Sequence, residues 1–187
     1  MAQTKTNNSF LADKVKLRAN HLPESERLRV MDCYSGSGAI WQAVKELTGR
    51  KIITLPIDTQ DYGNFYLPGD NIGYLETMDL SRFDVIDLDA YGVPYAQLKT
   101  IFQRGYAGTI FVTFIQSVMG SIPNGLLNDV GLSTAMVEKI PTLFAKRGWD
   151  YFIQFLAQNG VSRIWHREHD RKHYAGFVLC GIPGGTN

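Results

Sequence analysis

The 187-residue chain has only two cysteines, Cys33 and Cys180, with no Cys-x-x-Cys pair and no histidine spacing that would complete a zinc site around them. A disulfide framework and a structural metal are therefore not expected, and both thiols should be free. From Met1 to Asn20 the chain is polar and mixed in charge, without the apolar run of about 7–15 residues that a signal peptide needs. No stretch elsewhere reaches membrane-spanning length. These absences predict a soluble, cytoplasmic protein with no membrane partner. Internal repeats, low-complexity tracts and linkers are missing too, and Gly and Pro fall singly between periodic segments, as they do in one domain. Nor does charge of one sign dominate, since the net charge is +1. Its distribution is uneven: between Asp58 and Asp89 eight acidic residues stand against the single Arg82, leaving the remainder net basic. Charge thus permits a nucleic-acid partner without requiring one.

What is present is 44% hydrophobic residues in strand-like and helix-like periods. Residues 1–27 read as an N-terminal basic arm or helix. In it Val15 to Leu22 is helical, Lys14, Lys16 and Arg18 lie close together, and Pro23-Glu24-Ser25 breaks the chain. Residues 28–187 read as the domain proper. Strands are predicted over 28–34, 51–57, 65–67, 83–88 and 109–114, followed by a hairpin of 161–165 and 174–182. Helices are predicted from the Ser35-Gly36-Ser37-Gly38 turn to Gly49, over 93–102, over 134–140 capped by Ser133, from Pro141, and around Trp149, Phe152, Ile153 and Leu156. The Gly120 to Gly125 stretch reads as a loop. Strands alternating with helices predict an α/β fold: a seven-stranded, mostly parallel, Rossmann-like sheet with helices on both faces and an antiparallel C-terminal hairpin.

Chemistry concentrates at predicted strand ends. Asp32-Cys33-Tyr34-Ser35-Gly36-Ser37-Gly38 ends a strand and opens a helix, so its glycines let a ligand approach the backbone while the helix N-terminus offers free N–H groups. It is either a nucleotide-type binding turn or a structural glycine turn. Trp41 fills the last position of G-x-G-x-x-G, where a dinucleotide fingerprint needs Gly or Ala, which disfavours NAD. Asp58 is placed to accept from ribose hydroxyls, as an acidic residue does in dinucleotide folds, although Asp at a strand end is common. Asp70-Asn71 either meets an adenine edge or simply makes a turn. After the fourth strand, Asp87-Leu88-Asp89-Ala90-Tyr91-Gly92-Val93-Pro94 lies beside the switch point where open α/β sheets bind ligands. A carboxylate that accepts N–H bonds from an exocyclic base amine localises the nitrogen lone pair for attack, and an aromatic ring can stack on the base. Asp89 and Tyr91 supply both functions, or else end a strand and pack. Neither cysteine follows a proline, which excludes a Pro-Cys nucleophile. Arg163, His166, Arg167, His169, Arg171, Lys172 and His173 cluster near the hairpin turn, where they either grip phosphates or form a solvated face. Metal ligation by these histidines is not expected, because no carboxylate cluster accompanies them at ligand spacing.

The first of these motifs resembles the opening motif of class I S-adenosylmethionine (SAM) dependent methyltransferases, in the Asp-x-Phe/Tyr-x-Gly-x-Gly form of nucleic-acid methyltransferases. Residues 83–92 resemble more closely the tRNA N2-guanine dimethyltransferases, which carry Asp-Leu/Ile-Asp-Pro-Phe/Tyr-Gly; here Ala90 stands in place of their proline. The resemblance spans roughly Val30 to Phe102. It implies a SAM-dependent N-methyltransferase acting on an exocyclic base amine of RNA, or of DNA. Asp89 would be the catalytic acidic residue and Tyr91 the stacking residue, with SAM held by Asp32, Tyr34, Gly36, Ser37, Gly38, Asp58, Thr59, Asp70 and Asn71. The family's N-terminal Asn-Arg-Asp segment and C-terminal tRNA-binding domain are not seen in the chain. Substrate would then be held by the N-terminal arm, the Gly120 to Gly131 loop and the hairpin, with Arg163, Arg167, Arg171 and Lys172 on its phosphates, or by a partner protein. Methylation of a protein amide or a small molecule, and SAM binding without catalysis, are the alternatives.

Overall fold

Strand β1 (Arg27–Asp32) buries every residue but two, its side chains alternating between two hydrophobic layers, so the sheet must be covered on both faces. The computed structural model describes residues 10–63, 65–115, 122–139, 147–170 and 172–180. In it β1 is followed by α2 (Ala39–Thr48), β2 (Lys51–Asp58), β3 (Leu67–Pro68), α3 (Asn71–Thr77), a 3-10 turn (Leu80–Arg82) and β4 (Val85–Leu88). Next come α4 (Tyr95–Gln103), β5 (Gly108–Ile115), α5 (Asn124–Asp129), α6 (Thr134–Lys139), α7 (Gly148–Gln158), β6 (Ile164–His169) and β7 (Lys172–Leu179). The seven strands form one sheet in the order β3-β2-β1-β4-β5-β7-β6. The first five run parallel, while β7 inserts antiparallel between β5 and β6. This is the expected mostly parallel α/β sheet with an antiparallel hairpin, and its chain reversal at β1 and β4 creates the switch-point crevice.

Helix α1 (Leu11–Asn20) precedes the sheet and packs beside α2. Val15 and Leu17 join Leu28, Val30, Trp41, Val44, Val85 and Phe111 in the layer on that face. On the other face Met31, Ile86, Leu88, Val112 and Phe114 meet α4, α5 and α7 through Leu98, Ile101, Leu126, Phe152 and Phe155. Each such aliphatic or aromatic side chain contributes about 1.5–3 kcal/mol by leaving water. Among the described residues no helix is long and apolar enough to cross a membrane. Cys33 is buried and Cys180 exposed, and both are free.

Several elements depart from the sequence expectation for local reasons. Helix α1 begins at Leu11, not Val15, and is no free arm, because Lys14 and Arg18 turn inward and are buried. Strand β3 is Leu67–Pro68, not 65–67: Phe65 is exposed, and only Leu67 and Pro68 find partners on β2. Pro68 fits that position because β3 is an edge strand. Helix α4 starts two residues late, since Val93 precedes Pro94 and is steered away from helical angles. Part of the expected 120–131 loop is helix α5, pinned by buried Leu126 and Leu127. Strand β6 starts three residues later than expected and runs to His169, with β7 starting two residues early at Lys172, so most of the basic cluster lies within the hairpin strands. Ser133 does cap α6, its Oγ accepting from Met136 N at 3.3 Å. The helix expected from Pro141 falls outside the described residues.

Candidate active site

The carboxyl ends of β1, β2 and β4 meet at the crevice; β1 and β2 each end in an aspartate, and β4 ends at Leu88 between Asp87 and Asp89. After β1 the backbone keeps its pairing for one more residue, Cys33 N donating to Asp87 O at 2.9 Å, and then turns through Gly36 and Gly38 at φ +51° and +77°. Those angles favour glycine. A Cβ placed on Gly38 would meet nothing within 4 Å, so it is the backbone angle and not crowding that requires the glycine, and the turn stays open on that side. Asp58, closing β2, fixes the turn by accepting from Gly36 N at 2.8 Å, and its other oxygen accepts from Gln60 N at 3.0 Å.

Two cavities flank Gly36. One, of about 350 Å³, is bordered by Tyr34, Gly36, Asp58, Asp89, Tyr91 and Lys14, with Thr59 also on its wall. The other, of about 310 Å³, is lined by Asp32, Ser35, Ser37, Gly38 and Trp41. Both are within the usual size of small-molecule sites. A larger cavity of about 570 Å³ opens beside Asp84 and Gly108, at the opposite strand ends; it carries none of the carboxylates singled out and lies away from the switch point. The structure thus brings Tyr34, Gly36, Asp58, Thr59, Asp89 and Tyr91 around one space and Asp32, Ser37 and Gly38 around its neighbour. Asp70 and Asn71 border neither. Asp70 caps α3 by accepting from Ile72 N, while buried Asn71 donates to Cys33 O at 2.8 Å and accepts from Gln97, whose Nε2 also donates to Tyr34 Oη at 2.7 Å.

Behind the cavities lies a charge cluster that spacing along the chain does not reveal. Asp87 accepts from Arg18 Nε and Nη2, both at 2.7 Å, and from Trp41 Nε1 at 2.7 Å. Asp89 accepts from Lys14 Nζ at 2.7 Å through one oxygen and from Thr113 Oγ1 through the other. Asp32, Asp87 and Asp89 therefore share a buried region with two cations. Burial, and secondly the Asp87 charge, push the Asp32 carboxyl well above its usual range, favouring its neutral form. Burial alone would make Arg18 easier to deprotonate, but Asp87 more than reverses this and holds the guanidinium charged. Burial, then Asp89, moves the Tyr174 phenol up to about 12. The Cys33 thiol is pushed well above its ordinary value by burial and by Asp32, so it has no nucleophile's character.

Sequence reasoning missed Lys14, Arg18 and Ser35. The first two had a signal: Asp87 and Asp89 lie two apart at the end of a buried strand, hence on one face, and need cations, which Lys14 and Arg18 supply from one helical face four residues apart. Ser35 had none. Among the described residues its Oγ is the one buried side-chain nitrogen or oxygen without a hydrogen-bond partner, and it lies on the wall of the cavity beside Gly36.

Tyr91 is 80% exposed at the cavity rim. The basic hairpin residues divide by strand alternation. Trp165, Arg167 and His169 lie on the α1 side, where His21 stacks on Trp165 and Phe10 on His169; His166 and His173 lie on the α7 side against Trp149. Lys172 reaches the cavity wall, Arg163 precedes β6 and is exposed, and Arg171 falls outside the described residues.

No family model matches the sequence, and no curated protein matches it. Solved structures do resemble it in fold. The precorrin-6y C5,15-methyltransferase of Geobacter metallireducens is 10% identical, with a TM-score of 0.52 over 96% of this chain and 92% of that one. A candidate rRNA methylase of Clostridium thermocellum is 10% identical, with a TM-score of 0.53 over 90% of this chain and 96% of that one. Human N-acetylserotonin methyltransferase, solved in complex with SAM, is 15% identical, with a TM-score of 0.51 over 91% of this chain and 52% of that one. At such identities the likeness is one of fold, and the chain therefore has the Rossmann-like fold of these methyltransferases.

Proposed function

We propose that this chain binds SAM at the Gly36 turn and transfers its methyl group to an exocyclic amine of a nucleic-acid base, in RNA before DNA. The observation that carries this reading is the convergence of the Gly36 turn, Asp58, Asp89 and Tyr91 on one cavity at the switch point. Substrates named for proteins of this fold range from a precorrin to rRNA and N-acetylserotonin, so the choice of a base amine rests on the Asp89–Tyr91 pair and not on the fold.

The residues present fit the cofactor. Ser35 Oγ is a buried polar atom lacking a partner, beside a turn whose Gly38 is open to a ligand. Asp58 is placed to accept from ribose hydroxyls through lone pairs its two backbone contacts leave free, since an ionised carboxylate has about four acceptor sites. SAM supplies a sulfonium methyl, an electrophile that needs no metal. Asp89 would accept the acceptor's N–H bonds as the nitrogen becomes tetrahedral, oriented for this by Lys14 and Thr113. Tyr91, exposed at the rim, would stack on the base. Calorimetry with SAM, followed by a tritiated-methyl assay on bulk RNA, DNA and lysate, tests both halves. Saturable binding and label in RNA are expected; absence of SAM binding would refute the cofactor site.

One observation favours a second reading, SAM binding without transfer: Lys14 already occupies Asp89 at 2.7 Å, where an acceptor amine would have to come. Binding in calorimetry with no label in any of the three substrates would select it.

A further inference from the structure

On the α7 side of the hairpin, His166 and Glu168 are two residues apart on β6 and share a face, while the strand register sets Glu168 opposite His173 on β7. One ligand atom from each of the three side chains lies within 4.8 Å of the others. A carboxylate thus accompanies the histidines through cross-strand pairing, which spacing along the chain does not show. We propose that His166, Glu168 and His173 form a binding site for one divalent late transition-metal cation, with zinc as the representative ion.

The two imidazoles are already arranged for a common ion. His166 Nε2 and His173 Nδ1 are 3.0 Å apart, and two nitrogens on one tetrahedral zinc, each about 2.0–2.1 Å from the metal, stand about 3.3 Å apart. Their mutual hydrogen bond requires a lone pair on one of these nitrogens, and a metal replaces the single shared proton by bonds to both. Trp149 fixes the rings, stacking on His166 at 4.6 Å and on His173 at 4.3 Å, nearly parallel to the latter at 5°. Less ordering is then left to occur on binding. Glu168 is exposed, with a carboxylate oxygen within 4.8 Å of a ring nitrogen of each histidine. The donor set of two imidazoles and one carboxylate suits zinc and its neighbours in the series better than magnesium or calcium. Three protein ligands leave a fourth position for water or an acceptor group. The ion would also tie β6, an edge strand, to β7.

The test uses the full chain, stripped of metal by chelator dialysis and titrated with zinc chloride in calorimetry and with cobalt in absorption spectroscopy. One ion per chain and the visible bands of tetrahedral cobalt are expected. His166→Ala and Glu168→Gln, both at exposed positions and checked for folding by circular dichroism, should weaken binding about tenfold or more. His21→Ala, on the other side of the hairpin, should leave it unchanged. Failure to bind one ion per chain, or equal affinity in His166→Ala, would overturn the site. Neither result bears on SAM binding.

Discussion

Arg18 and Asp87 form a bidentate ion pair in which both side chains are only 1% exposed, joining the helix before the sheet to the strand that ends at the crevice. Such a pair is costly to desolvate, and its value is best seen when half of it is removed. It also decides where α1 sits, because the preceding helical turn then delivers Lys14 to Asp89.

Arg18→Ala should therefore destabilise the protein by about 3–5 kcal/mol, since Asp87 would stay buried with its cation gone. Arg18→Met with Asp87→Asn should recover most of the loss, because asparagine keeps a carbonyl oxygen for Trp41 Nε1. Urea unfolding monitored by Trp fluorescence reads both; a loss under about 1 kcal/mol for the single variant would mean that water reaches Asp87.

Asp32 gives the opposite prediction. Burial and the Asp87 charge raise its pKa, so the folded state holds a proton that the unfolded chain releases near pH 3.8. Stability contributed by this group is lost as pH rises from 3.8 through the raised folded value. Asp32→Asn, neutral at every pH, should fold normally, and its stability relative to the native chain should grow across that window. A pH-independent difference between the two would show that Asp32 is not protonated in the folded state.

The parallel core was legible because buried strands, glycine stops and caps are local signals. Leu28 to Asp32, the turn at Gly36 and the cap at Ser133 all reappear in the structure. What was not legible depends on which face meets which. Lys14 and Arg18 look like a basic stripe until β4 places two carboxylates opposite them. Asp70 and Asn71 have the right residue types for a ligand, yet both have local work and border neither cavity, one capping a helix and one bonded to Cys33 and Gln97. Ala90 N–H donates to Leu88 O at 2.7 Å, a bond that proline in its place could not make.

Cofactor affinity should divide between Gly36 and Asp58. Gly36→Val places a branched side chain at φ +51° beside both cavities, and it should abolish SAM binding while leaving the core intact. Asp58→Ala should weaken SAM by about 1.5–3 kcal/mol, roughly ten- to a hundredfold, by removing one charged acceptor. Thermal shift with and without SAM separates folding from binding. Native affinity in Asp58→Ala would remove the ribose role.

The catalytic reading turns on Asp89 and the cation it holds. Asp89 contacts the acceptor only as charge develops on the nitrogen, so Asp89→Ala should lower kcat and kcat/KM together, by about a hundredfold or more, with SAM affinity unchanged. Lys14→Met leaves the carboxylate in place without the group that orients it at 2.7 Å, and it should lower kcat less, by about tenfold. Tyr91→Ala acts elsewhere: a ring stacked on a base contributes ~1–3 kcal/mol to acceptor binding, so KM should rise while kcat holds. Measured on one acceptor, the three variants separate chemistry from binding. If Lys14 instead blocks the site, Lys14→Met will gain activity over the native chain, and the ion pair must then be read as the contact that keeps a SAM-binding protein from transferring.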